Sequence, residues 1–323
     1  MFGSAHHTPV QESIHTERDT AGQAYVTVDG TSVPALGFGT YHLPEDRVYD
    51  SVREALDVGY RHVDTAMGYD NEREVGRAIR DSGIAREELF VTTKLLGYRE
   101  ILFHDNMMDA ARNRLEQLDL EYLDLLLIHW WNPVSDMAEV MGYMAELVES
   151  GLVRHVGVSN FSLEQLQEAV RVSPVPVFTN QVEYHAYMDR SEMLAFCRAN
   201  DVLLTAYSPL GQGLVVGDET MRDIGARHGK SAAQVAIRWL VQQEGVATIP
   251  RSANPEHIRS NFDVMDFELA PDEMRRIDEL EGPLLYRLNR PGGPLRRARG
   301  YVGGLVPKAA RERITGVLGR VVG

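Results

Sequence analysis

The sequence predicts an α/β protein: a closed (β/α)8 barrel of the TIM type, with an N-terminal β-hairpin and a C-terminal extension. Strand-like and helix-like segments alternate eight times over most of the chain, the pattern of parallel strands joined by crossover helices. The strands read as nearly continuous apolar runs, LDLLLIH most plainly, as expected when both faces are covered. No G-x-G-x-x-G opens a helix after any strand. LGFGTYHLP comes nearest and lacks the third glycine, which argues against a doubly wound open sheet.

Residues 1–24 are polar, carry His6, His7 and His15, and read as a flexible N-terminal extension. AYVTVDGTSVPALGFGT then gives a small hairpin, turned at Asp29-Gly30, and the first barrel strand. DRVYDSVREALDVG is helical, with Val48, Val52, Ala55 and Leu56 along one side. RHVDTA and NEREVGRAIRDSG form the next strand and helix, followed by LFVTTK and HDNMMDAARNRLEQLDL. YLDLLLIH is paired with MAEVMGYMAELVESG, whose Met137, Met141 and Met144 read as a packing stripe. VRHVGVSN is followed by SLEQLQEAVR, with Ser162 placed to cap it. VPVFTNQ is followed by RSEMLAFCRAN, in which Cys197 reads as a small buried side chain. VLLTAYSPL leads to two helices, TMRDIGARHG and SAAQVAIRWLVQQ. GVATIP is the eighth strand, PEHIRSNFDVM its helix with Pro255 in the first turn, and APDEMRRIDELE one helix more. The barrel thus spans residues 25–282, and residues 283–323 form a basic C-terminal extension.

With 33 basic and 47 acidic side chains the net charge is −14, so nucleic acid is not an expected partner. The single cysteine permits no intrachain disulfide and suits a reducing, cytoplasmic setting. No apolar run reaches the length of a membrane span, and the start lacks the pattern of a secretory signal. No metal-ligand cluster is present by motif.

Barrel chemistry sits where strands run out into loops at the C-terminal face. At those points stand Asp64, Lys94, His129, Ser159-Asn160, Gln181, Tyr207-Ser208 and Arg251-Ser252. Singly, each has an ordinary structural reading: Asp64 a turn cap, Lys94 a solvated strand end, His129 a core histidine, Tyr207 a packed ring. Together with Tyr69 they suggest a site. A phenol beside an ammonium, itself paired with a carboxylate, has a lowered pKa and can protonate a carbonyl oxygen. A histidine supplies a second hydrogen bond to that oxygen.

The stretches GYRHVDTAMGYDNEREVGRAI, LFVTTKL, DLLLIHW, VGVSNF, NQVEYH, YSPLGQG and IPRSANPEHI resemble the aldo-keto reductase superfamily, nearest to the aldose/aldehyde reductase and microbial 2,5-diketogluconate reductase type. The resemblance implies that Tyr69 is the proton donor, Asp64 and Lys94 its tuning pair, and His129 the residue that orients the carbonyl. It implies NADPH as cofactor, with NADH as the alternative. Ser159, Asn160 and Gln181 would hold the nicotinamide carboxamide, Tyr207 would stack on its ring, and Thr40 would be a further cofactor-binding residue. Ser208 and Leu210 would cover the pyrophosphate, and Arg251, Ser252, His257 and Asn261 would take the adenosine end. Arg251 stands where the family commonly has lysine, and His257 where it commonly has arginine, which weakens selection for a 2′-phosphate. Tyr41 and Trp130 would line the substrate pocket, with Tyr41 in place of a common tryptophan. Trp131 reads equally as pocket wall or core.

The expected activity is NADPH-dependent reduction of an aldehyde or ketone to an alcohol, by a monomer or weak homo-oligomer whose partner is a small carbonyl compound. The alternative is a cofactor-binding regulatory or channel-associated subunit with weak turnover. In the tail, PLLYRLNRP would place Tyr286 or Arg287 near substrate. Residues 309–321 would form an amphipathic helix, weakened by Gly316 and Gly319, for packing against the acidic barrel or a second subunit rather than against a membrane, with plain disorder as the alternative.

Overall fold

Strands of two to seven residues build the centre of the molecule. The computed structural model describes residues 14–19 and 22–283. The chain divides after Asp278, and every element below belongs to the unit Met1–Asp278. The expectations for His6, His7, Tyr286, Arg287 and a helix over 309–321 lie outside the described residues.

Strands β1 (His15–Arg18), β2 (Ala24–Val28) and β3 (Thr31–Pro34) form an antiparallel sheet in the order β1-β2-β3. The β2–β3 hairpin turns at Asp29-Gly30, both with positive φ (47° and 72°), the twist a two-residue hairpin turn requires. β1 corrects the sequence reading, which began the sheet at residue 25. HTER has no apolar alternation to announce it, and it forms by pairing with the open edge of β2, His15 opposite Thr27 and Arg18 opposite Ala24.

The barrel strands are β4 (Phe38–Gly39), β5 (His62–Asp64), β6 (Phe90–Leu95), β7 (Leu123–Ile128), β8 (Val153–Ser159), β9 (Val177–Glu183), β10 (Leu203–Tyr207) and β11 (Val246–Thr248). They lie in sequence order, all pairs parallel. The sheet closes between its first and last strands: Thr248 N donates to Ala35 O at 2.7 Å, Gly37 N to Thr248 O at 2.8 Å and Gly39 N to Pro250 O at 3.1 Å. Every residue of β6 and β7 is buried, as strands covered on two faces must be.

The outer helices are α1 (Val48–Val58), α2 (Glu72–Ser82), α3 (His104–Leu118), α4 (Met137–Glu149), α5 (Leu163–Val172), α6 (Ser191–Ala199), α7 (Glu219–His228), α8 (Ala232–Val241), α9 (Pro255–Phe262) and α10 (Pro271–Asp278). The expected side of α1 is buried, and so are Met137, Met141 and Met144. Ser162 and Ser231 each close a capping box, with Gln165 and Gln234 as reciprocal partners. Pro255 occupies the first turn of α9 behind the Asn254 cap. Cys197 is fully buried, and burial pushes its thiol up to about 12, the state of an inert core thiol. Charges inside the shell are paired: Arg114 with Glu72 at 2.6 Å, Arg86 with Asp124 at 2.6 Å. No helix among the described residues is long and apolar enough to cross a membrane.

Candidate active site

Asp64 ends β5 and Lys94 is the fifth residue of the neighbouring β6, so adjacent parallel strands deliver a carboxylate and an ammonium to one end of the barrel. Lys94 Nζ donates to Asp64 Oδ1 at 2.5 Å, to Thr65 O at 2.7 Å and to Tyr69 Oη at 3.3 Å. The lysine side chain has 0% of its surface exposed. Its three protons therefore all have acceptors, the condition for keeping an ammonium in the interior. Burial pulls the Lys94 pKa below the ordinary lysine value, and Asp64 opposes that pull. Asp64 does not cap a turn. Its second oxygen accepts from Gln181 Nε2 at 2.7 Å.

Tyr69 closes the 3-10 turn Met67–Tyr69. The sequence reading expected the ammonium to lower the phenol pKa. In the structure the shift is upward, from burial first, then the Asp64 carboxylate, then Tyr41. The Lys94 charge is already matched by Asp64, so little field is left over for the phenol. Tyr69 is held as the neutral, proton-bearing form.

His129 follows β7. Its ring lies 5.7 Å from the Tyr69 ring and 5.2 Å from Trp130, centroid to centroid. Burial, reinforced by the Lys94 charge, drives its pKa down to about 3. The imidazole is therefore neutral at ordinary pH. Its Nδ1 has no hydrogen-bond partner among the described residues. Tyr41, 52% exposed, packs against Tyr69 with centroids 4.9 Å apart. Tyr98, 55% exposed, meets Trp130 edge to face at 5.5 Å. Trp131, half-buried, turns instead toward Phe161.

A second cluster adjoins the first. Asn160, with φ of 60°, donates from Nδ2 to His129 O at 2.9 Å and to Ser159 Oγ at 3.1 Å, while its Oδ1 accepts from Tyr207 Oη at 2.8 Å. Ser159 Oγ donates to Gln181 O at 2.9 Å. The ends of β8, β9 and β10 thus present Ser159, Asn160, Gln181 and a half-exposed Tyr207 side by side. Thr40 is buried, donating from Oγ1 to Asp64 O. Ser208 (φ 51°) and Leu210 lead into the turn Gly211–Gly217, where Gly211 and Gly213 have positive φ. Arg251 and His257 are exposed, Ser252 is half-buried, and Asn261 on α9 is buried.

The sequence reading passed over Thr65, whose carbonyl receives Lys94, and Asn71, whose side chain bonds the residues after β4 and β5. Nothing in HVDTAMGYDNE separates them from ordinary loop and cap residues. A cavity of about 420 Å³ lies at the opposite end of the barrel, near Arg61, Asp124, Arg154 and His155. Its arginines and histidine are already bonded, Arg61 to Leu56 O and Tyr60 O, Arg154 to Asp124 and His155 to Thr31. No group of three or more potential metal ligands occurs among the described residues.

The chain has relatives of similar sequence and fold. A protein of Mycolicibacterium smegmatis named an aldo-keto reductase is 39% identical over 254 residues, covering 78% of this chain and 91% of its own. The glyoxal reductase of Bacillus subtilis is 38% identical over 254 residues, 78% of this chain and 90% of that one. The crystal structure of an aldo-keto reductase from a deep-sea metagenome library superposes with a TM-score of 0.75 at 38% identity, over 78% of this chain and 93% of that one. The profile of the aldo/keto reductase family matches residues 35–281, which include all eight barrel strands and every polar strand end described above. By sequence and by fold, the chain belongs to the aldo/keto reductase family.

Proposed function

We propose that this protein reduces an aldehyde or ketone to an alcohol with NADPH, Tyr69 giving the proton. One observation carries the reading: the buried Lys94 ammonium donates to Tyr69 Oη, so that oxygen is an acceptor toward lysine and its own proton is left for another partner. A carbonyl oxygen seated between Tyr69 and His129 would meet a phenol donor and a neutral imidazole. As negative charge grows on that oxygen, both hydrogen bonds strengthen. When the phenol gives up its proton, the Lys94 ammonium, 3.3 Å away, is placed to donate a hydrogen bond to the nascent phenolate. Asp64 and Gln181 keep that ammonium oriented.

The residues present fit a nicotinamide dinucleotide. Ser159, Asn160 and Gln181 offer a hydroxyl and two amides beside the half-exposed Tyr207 ring, which suits a flat carboxamide-bearing ring. Gly211 and Gly213 keep the following turn open to a pyrophosphate, and exposed Arg251 stands before the N-terminus of α9, a favourable place for a phosphate. Bound there, the cofactor supplies the hydride, and the barrel supplies position and field. Arg251 and Ser252 favour NADPH, while His257 in place of arginine leaves NADH as the weaker alternative. Tyr41, Trp130 and Tyr98 suit a substrate with an apolar or aromatic body. The glyoxal reductase relative makes small dicarbonyls the other class to test, alongside the aldoses and diketogluconate of the expected subtype. A cytoplasmic setting fits the lone buried thiol.

The test is NADPH consumption against aromatic aldehydes, small dicarbonyls, aldoses and diketones, with NADH in parallel. Wild-type turnover should fall by about a thousandfold or more in Tyr69→Phe while NADPH affinity stays within about threefold. Undiminished turnover in that variant would remove Tyr69 as donor. Tight NADPH binding with no turnover on any carbonyl would favour a regulatory subunit.

A further inference from the structure

The loop that carries Tyr69 is fastened at its far end by a side chain in an unusual role. Asn71 is the residue before α2, where an asparagine ordinarily accepts a hydrogen bond from the first turn of its own helix. It does not do so here. Its amide instead turns into the barrel: Oδ1 accepts from Thr65 Oγ1 at 2.9 Å, and Nδ2 donates to Thr40 O at 3.0 Å. The residue is 6% exposed, and Thr40 and Thr65 are both 0% exposed.

These two partners are the residues at which β4 and β5 run out. Thr40 is tied by backbone and hydroxyl to Asp64 O, and Thr65 O is an acceptor of Lys94. Between Thr65 and Asn71 lie only Ala66, the 3-10 turn of Met67–Tyr69 and Asp70 in the left-handed region, φ 53°. The Asn71 amide therefore ties a short loop to the end of β5, which carries Asp64 and the carbonyl that receives Lys94, and to the end of β4 beside it; Tyr69 stands inside that loop, 3.3 Å from Lys94 Nζ.

We propose that Asn71 is a positioning residue for the proton donor. Its amide sets the distance and angle between Tyr69 and Lys94 without touching substrate or cofactor. The inference rests on the proposed role of Tyr69. A displacement of about 1 Å in a reacting group costs on the order of a hundredfold in rate, so a loosened loop should register in turnover rather than in binding.

The experiment compares wild type, Asn71→Ala and Thr65→Val. The valine variant removes only the hydroxyl bonded to Asn71 and keeps the carbonyl that receives Lys94, so it serves if the alanine variant fails to fold. In Asn71→Ala kcat should fall by about ten- to a hundredfold, with carbonyl KM and NADPH affinity within about threefold. The basic limb of the kcat profile should move, because the phenol loses its fixed distance from the ammonium. Thr65→Val should show a smaller change of the same kind. Amides of residues 66–70 should exchange hydrogen faster in both variants, by about tenfold or more. A folded variant with wild-type kcat and pH profile overturns the inference while leaving the Tyr69 reading intact. If wild type reduces no carbonyl, the Tyr69 reading falls instead. Exchange then decides the loop: faster exchange upholds the fastening by Asn71, and unchanged exchange overturns it.

Discussion

Lys94, Tyr69 and His129 show how one barrel end sorts titratable groups by what each can bond. The ammonium is retained because three acceptors surround it, and the phenol stays protonated because burial and, after it, the Asp64 carboxylate push its pKa up. The imidazole stays neutral because burial and the Lys94 charge both oppose protonation. Two further histidines share that direction: buried His62, and His155 beneath the hairpin. This sets a pH dependence. A histidine whose folded pKa lies below its unfolded value of about 6.5 takes up its proton first in the unfolded chain, so stability drops as pH falls below that value. Exposed His104 is shifted upward and works the other way, but at the surface it counts for little. Buried Glu72 is shifted upward, by burial first, and opposes the histidines: its contribution is lost as pH rises from the unfolded carboxyl value toward the folded one. With His62, His129 and His155 all acting in one direction, the denaturant midpoint should be lower at about pH 5.5 than at about 7.5. A midpoint that held level or rose would mean that these rings are protonated in the folded protein.

At the scale of elements, helix starts were the most readable feature. Ser162 announces α5 by its type and place, and the structure closes the reciprocal pair with Gln165, Gln165 N to Ser162 Oγ at 3.2 Å and Ser162 N to Gln165 Oε1 at 3.0 Å. Ser162→Ala should cost about 1 kcal/mol in a denaturation titration, and Ser162→Asp should recover most of it. Asn71 shows the limit of the same reasoning. It stands where a cap belongs, yet its amide serves the strand ends, a choice set by what lies opposite it in space. β1 was unreadable for a related reason: HTER has no pattern of its own and is a strand only because β2 offers it a partner.

Closure is the property of the whole molecule on which the site depends. β4 has only two residues, and its seam with β11 is made by backbone groups passing close together. A methyl group on Gly39 would come within 2.7 Å of Ile249 O, at the point where that seam leads into Thr40. Gly39→Ala should destabilise the barrel by about 1–3 kcal/mol. It should also raise the KM for NADPH, because Thr40 and Arg251 flank the same seam. Wild-type stability and KM together would show that the seam has slack.

The amino-acid sequence by itself determined the alternation of apolar strands and amphipathic helices, the caps, and the polar residue at each strand end. These are local properties, fixed by periodicity and by which side chains can face water or backbone. Only the tertiary structure decided what those residues do to one another. Asp64 and Gln181 are 117 positions apart and meet at 2.7 Å. The direction of the Tyr69 shift and the neutrality of His129 follow from burial and from charges brought from other strands. Hydrogen bonds and fields act through space, and a closed barrel brings distant strand ends within reach of each other.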